Sequence, residues 1–112
     1  MLTKEMKISK IDGMYRGWFV GDFDPSFFRT NEFEVGYLKH AKNEQWPKHY
    51  HKESVEINYL IKGKMIIQNQ ELTAGDLFMF DKGEIADPTF IEDCELIVVK
   101  IPSLPKDKFI VE

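Results

Sequence analysis

Apolar residues along this chain fall in short runs, closely punctuated by Gly, Asp and Pro. Alternation on Phe33, Val35 and Tyr37 predicts a strand over 33–38. Similar runs predict strands over 15–20, 54–61, 65–68, 77–80, 95–101 and 108–111, with a turn at Lys62-Gly63-Lys64. Past residue 12 no long stretch keeps a helical apolar period without a breaker, and residues 1–10 have room for one short helical turn. Short strands at this spacing predict an all-β fold, an antiparallel barrel or jelly roll of roughly eight to eleven strands.

Composition narrows the options. A length of 112 residues predicts one domain over 1–112. Fifteen Lys and Arg against 19 Asp and Glu give a net charge of −4, which argues against phosphate contact with nucleic acid as the main job, since that needs a basic face. The lone Cys94 excludes an intrachain disulfide and a zinc ribbon, and its acidic neighbours disfavour a reactive thiol. No apolar run is long enough to cross a membrane, and the first residues lack the apolar core of a signal peptide. The expectation is a cytoplasmic protein. Between Trp18 and Phe28 stand five large aromatics, Trp18, Phe19, Phe23, Phe27 and Phe28. They need cover, either from the barrel end or from a partner subunit, and a homodimer burying this segment is expected.

Chemistry concentrates at the histidines, which are His40, His49 and His51. In an extended strand, residues i and i+2 project to one face about 6.6 Å apart. Imidazoles placed this way can converge on one metal ion at about 2.0–2.1 Å. A His-x-His pair alone reads as two solvated strand histidines; the carboxylate that follows changes the reading. On an unbroken strand Glu56 would face away from His51. To join the histidines, the chain must turn between Lys52 and Ser54, and Lys52-Glu53-Ser54 is a suitable polar turn. Beyond it Glu56 interrupts an apolar strand, where a buried charge is costly unless paired or bound to metal.

The pattern His49-x-His51-x4-Glu56-x6-Gly63 resembles the first motif of the cupin superfamily. Gly75-Asp76 followed by Asp81-Lys82-Gly83 is similar to the start of the second motif. The resemblance covers roughly residues 35–100 and implies a small antiparallel barrel, a homodimer, and a metal held inside by His49, His51 and Glu56. The second motif departs from the pattern: Asp81 stands at its proline, and Ala86 stands where the fourth ligand, a histidine, should fall. Three outcomes follow. The site is a two-histidine, one-carboxylate centre with open positions, or Asp87 or Glu84 swings in, or the site has lost metal and binds a small ligand directly. The mixed N/O donor set suits Fe, Mn, Ni, Co or Zn and is a poor choice for Mg or Ca.

Asn58 shares the Glu56 face and is a candidate for orienting a ligand, or a polar residue at a wet mouth. With Ala86 and Asp87 it makes up the expected pocket. His40 reads as a solvent-exposed strand-end residue, Glu53 as a solvated turn carboxylate, Tyr50 as packing on the opposite face, and 100–108 as a strand end with an exposed turn. Two functions compete. One is a metal-dependent enzyme acting on a small molecule; the other is a non-catalytic small-ligand or sugar-binding module. The fold alone does not choose between them.

Overall fold

The computed structural model describes residues 5–112. The helical turn expected over 1–10 lies partly outside those residues, and 5–10 form no regular element. A single 3-10 turn at Ile11–Gly13 precedes eleven strands. These are β1 Trp18–Gly21, β2 Phe28–Arg29, β3 Glu34–His40, β4 His49–Tyr50, β5 Val55–Lys62, β6 Lys64–Ile67, β7 Gln70–Thr73, β8 Leu77–Phe80, β9 Thr89–Phe90, β10 Cys94–Ile101 and β11 Phe109–Ile110.

Six strands form one sheet in the order β2-β1-β3-β10-β5-β8; β7-β6-β9 form a second and β11-β4 a third. All pairings are antiparallel except β1 with β2. The fold is all-β, as expected, but the hydrogen-bonded sheets do not close into a barrel. They face each other across a shared core, in which Met65, Ile67 and Phe90 of the small sheet meet Leu60, Phe80, Leu96 and Val98 of the large one. Side-chain packing holds the two halves together, and the space between them stays open as a cavity.

Period-2 burial sets what that cavity sees. On β5, Glu56, Asn58 and Leu60 are buried while Ile57, Tyr59 and Ile61 are exposed. On β10, Cys94, Leu96 and Val98 point inward, and Lys100 follows on the same face. Register then places Lys100 opposite both Glu34 and Glu56, and Val98 opposite both Gly36 and Asn58. Gly36 is required here, because a Cβ would lie 2.7 Å from the Trp18 ring. Gly63, the glycine of the motif, turns the chain from β5 to β6 at φ +98°, and a Cβ there would meet the Asp93 carbonyl at 2.3 Å.

Most of the aromatic segment is at least partly buried within the chain. Trp18 turns to the cavity, Phe19, Phe23 and Phe27 are half-buried, and only Phe28 is largely exposed.

Candidate functional site

The site is built on β4 and the turn after it. His49 exchanges both backbone hydrogen bonds with Ala86, at 3.1 and 2.8 Å, while Tyr50 pairs with Phe109 and stacks on its ring. His51 follows, buried, and its Nδ1 donates to the Asp107 carbonyl. The chain then bends at Lys52-Glu53. The Asp107 carboxylate holds that bend by accepting the backbone N–H groups of Lys52, Glu53 and Ser54, each at 2.9 Å. Ser54 Oγ closes the corner by donating to the Pro102 carbonyl at 3.0 Å. The bend lies where a turn is needed for Glu56 to join the histidines, and it brings Glu56 to the histidine side. His51 Nε2 stands 3.2 Å from Glu56 Oε1, and Asn58 Nδ2 donates to Glu56 Oε2 at 3.0 Å.

A carbonyl oxygen only accepts, so each histidine that faces one carries its proton on that nitrogen. His51 Nδ1 faces the Asp107 carbonyl, and His49 Nδ1 lies 3.2 Å from the Pro47 carbonyl. Both rings therefore keep Nε2 for other work, the arrangement in which a backbone carbonyl orients a metal-binding imidazole. Between His51 Nε2 and Glu56 Oε1, either a proton or a divalent ion satisfies both lone pairs. Two donors about 2.1 Å from one ion, at near right angles, stand about 3 Å apart, close to the separation found. His49 sits further off, its ring centre 5.6 Å from that of His51. Among the described residues, no three His, Cys, Asp or Glu side chains are gathered closely enough to hold an ion as they stand. The donor chemistry of His51 and Glu56 fits a transition ion, and His49 is the donor beside them.

Electrostatics favour the ligating forms. Burial pushes the Glu56 carboxyl up, but the His51 bond, the Lys100 charge and the Asn58 bond outweigh it and hold the group below the usual carboxylate range. Burial holds the His49 imidazole below its ordinary value, against the pull of the Pro47 carbonyl, and the Lys108 charge adds to that lowering. For Asp107, burial is again outweighed, here by the three backbone N–H groups and His51, so its carboxyl is also held low.

A cavity of about 890 Å³ opens above these groups. Its floor carries His49, His51, Glu56 and Asn58, and its walls include Ala86, Phe78, Phe80, Trp18 and Trp46. Ala86 pairs with His49 across an isolated bridge and lines the cavity. Asp87 is directed elsewhere: its Oδ1 accepts the Gln68 N–H at 3.1 Å, and it does not line the cavity. Glu84 likewise accepts the Asp81 N–H on the surface. His40 is no solvated strand end. It stacks on Phe90 with ring centres 4.4 Å apart, binds Glu44 at 2.6 Å through Nδ1, and lines the cavity. The segment 100–108 is also not a simple exposed turn. Lys100 reaches Glu34 at 3.4 Å and lies 4.8 Å over the Trp18 ring, while Asp107 is buried under the histidine turn. Cys94 is buried, and burial pushes its thiol pKa up, in keeping with an inert thiol.

A family model described as the ChrR cupin-like domain matches residues 30–105. Among the curated proteins no sequence matches significantly. Solved structures share the fold. An uncharacterized conserved protein with a double-stranded β-helix domain from Klebsiella pneumoniae superposes with a TM-score of 0.70 at 18% identity, covering 100% of this chain and 98% of that one. The DMSP lyase DddQ from Ruegeria pomeroyi gives 0.68 at 16% identity, over 99% of this chain and 59% of that one. A nucleoside dehydratase from Streptomyces gives 0.62 at 12% identity, over 74% and 71%. At these identities the likeness is one of fold.

Proposed function

The chain belongs to the ChrR cupin-like family of cupins, and from that membership we propose a metal-dependent enzyme acting on a small molecule, with His49, His51 and Glu56 holding one divalent transition ion. Two of its structural neighbours are enzymes by name, a lyase and a dehydratase. The observation that carries the reading is the buried His51–Glu56 pair, with His51 Nδ1 spent on a backbone carbonyl and Nε2 turned to the carboxylate.

An ion of Fe, Mn, Ni, Co or Zn bound there would supply Lewis-acid polarisation of a ligand oxygen. The protein's own groups prepare the place. Asn58 holds one oxygen of Glu56 and leaves the other facing His51 Nε2, where an ion would be held. Asp107 fixes both the His51 ring and the turn that delivers Glu56. Phe78 and Phe80 form an apolar wall that limits water. Ala86 offers no donor and keeps a position free for ligand. That vacancy also favours the second reading, a non-catalytic small-ligand module; turnover of a bound compound separates the two.

We read the assembly as a homodimer. The face suited to it is the outside of the large sheet, where Ile57, Tyr59, Leu77 and Met79 are paired neighbours exposed at 38%, 43%, 74% and 57%. Among the described residues no helix is long and apolar enough to cross a membrane, and the single buried cysteine suits a reducing, cytoplasmic setting.

Metal content tests the reading. Wild-type protein purified without chelator should carry metal, and His51→Ala should bind it at least about tenfold more weakly. Equal content in the two would overturn the site.

A further inference from the structure

The cavity wall carries an imbalance of charge that the metal reading leaves unused. Arg16, Lys39, Lys100 and Lys108 line it, against Asp12, Glu44 and Glu56. The two inner carboxylates already have donors: Glu56 has His51 and Asn58, and Glu44 has His40, Trp46 and the Ala41 N–H. Lys100 is matched to Glu34. Lys108 and Arg16, at the mouth, pair with no carboxylate among the described residues. Each is seated on an aromatic ring, Lys108 with Nζ 4.4 Å from the Trp46 centroid and Arg16 with its guanidinium 5.4 Å from that of Tyr15. Such seating fixes a cation while leaving its donors free. A divalent ion on Glu56 would raise the positive excess further.

We infer that the ligand of this cavity is an organic anion, its carboxylate seated at Lys108 in the combined field of Lys100 and Arg16, and its body directed past the tryptophans toward Glu56. This rests on the cavity being the ligand site, as proposed above. Partial desolvation and the nearness of Lys100 lower the Lys108 pKa, and a bound anion would oppose that lowering.

The two tryptophans of the chain, Trp18 and Trp46, both line the cavity, so intrinsic fluorescence reports its occupancy. The probes are benzoate and its uncharged isostere benzamide, titrated into the metal-loaded protein. Benzoate should bind about tenfold more tightly, the effect of one charge-assisted contact. Lys108→Met keeps an alkyl stem over Trp46 and should abolish that preference without changing benzamide binding. Lys52→Met, which removes an equal charge beside Phe109 and outside the cavity, should leave the preference intact. A third titration, on His51→Ala, separates this inference from the metal reading. Acid preference that persists there and vanishes in Lys108→Met supports the anion site even if the metal site fails. Acid preference lost in His51→Ala but kept in Lys108→Met means that the carboxylate binds the metal, and overturns the inference alone. Equal affinities, or no saturable response to benzoate in the millimolar range, overturn it as well.

Discussion

Replacing Asp107 by alanine should weaken the fold and the site together. Its carboxylate is the single acceptor for three successive backbone N–H groups, of Lys52, Glu53 and Ser54. Hydrogen bonds to a charged group contribute about 1.5–3 kcal/mol each. The three losses do not simply add. Lys52 and Glu53 are exposed, so water takes over their freed donors, whereas Ser54 is 1% exposed and its N–H would be left unpaired. The expected loss is about 2–4 kcal/mol, a large part of a stability that for domains of this size is about 5–15 kcal/mol. Urea unfolding followed by tryptophan fluorescence measures it through the midpoint at unchanged slope. The turn also sets Glu56 against His51, so metal affinity should fall although neither ligand is touched. The pH dependence has a definite sign. The folded carboxyl is held below its unfolded value of about 3.9. Its stabilisation is therefore fully present above that value and is lost as pH falls through the folded one, so wild type and Asp107→Ala should converge in acid. A loss under about 0.5 kcal/mol, the range of an ordinary surface change, would refute the claim that Asp107 organises the turn.

Two further outcomes follow from the geometry. Ala86→His should tighten metal binding and slow any turnover, because a fourth donor fills the open position; no change in either, measured by competition with a chelator and by rate, means that Ala86 does not face the ion. Leu77→Glu on the outer sheet should yield monomer by light scattering, while Phe28→Asp in the exposed part of the aromatic segment should leave the dimer intact; a dimer that survives the first and fails with the second would move the interface to the aromatic segment.

The legible and the hidden parts of the site differ in range. His49, His51, the turn at Lys52–Ser54 and Glu56 are local, and spacing with pleat geometry was enough to locate the bend that joining Glu56 to the histidines needs. Ala86, singled out by a second motif only partly intact, stands opposite His49 and lines the cavity. The role of Asp107 was not legible, because its three partners lie more than fifty residues away and its surroundings read as an exposed, proline-rich turn. Lys100 continues the inward face of β10, so alternation past Val98 was a usable signal, hidden by its charge. His40 read as solvated because its cover, Phe90, lies on a two-residue strand that shows no periodicity. The open arrangement of the sheets depends on which edges pair, a matter of long-range packing that strand patterns do not encode.

Anomalous diffraction at a metal absorption edge, on crystals incubated with that metal, locates an ion held by His49, His51 and Glu56. One peak is expected within coordination distance of His49 Nε2, His51 Nε2 and Glu56 Oε1, with Asn58 still bonded to the other Glu56 oxygen. A metal-incubated crystal with no peak there, and His51 Nε2 still bound directly to Glu56, would contradict it.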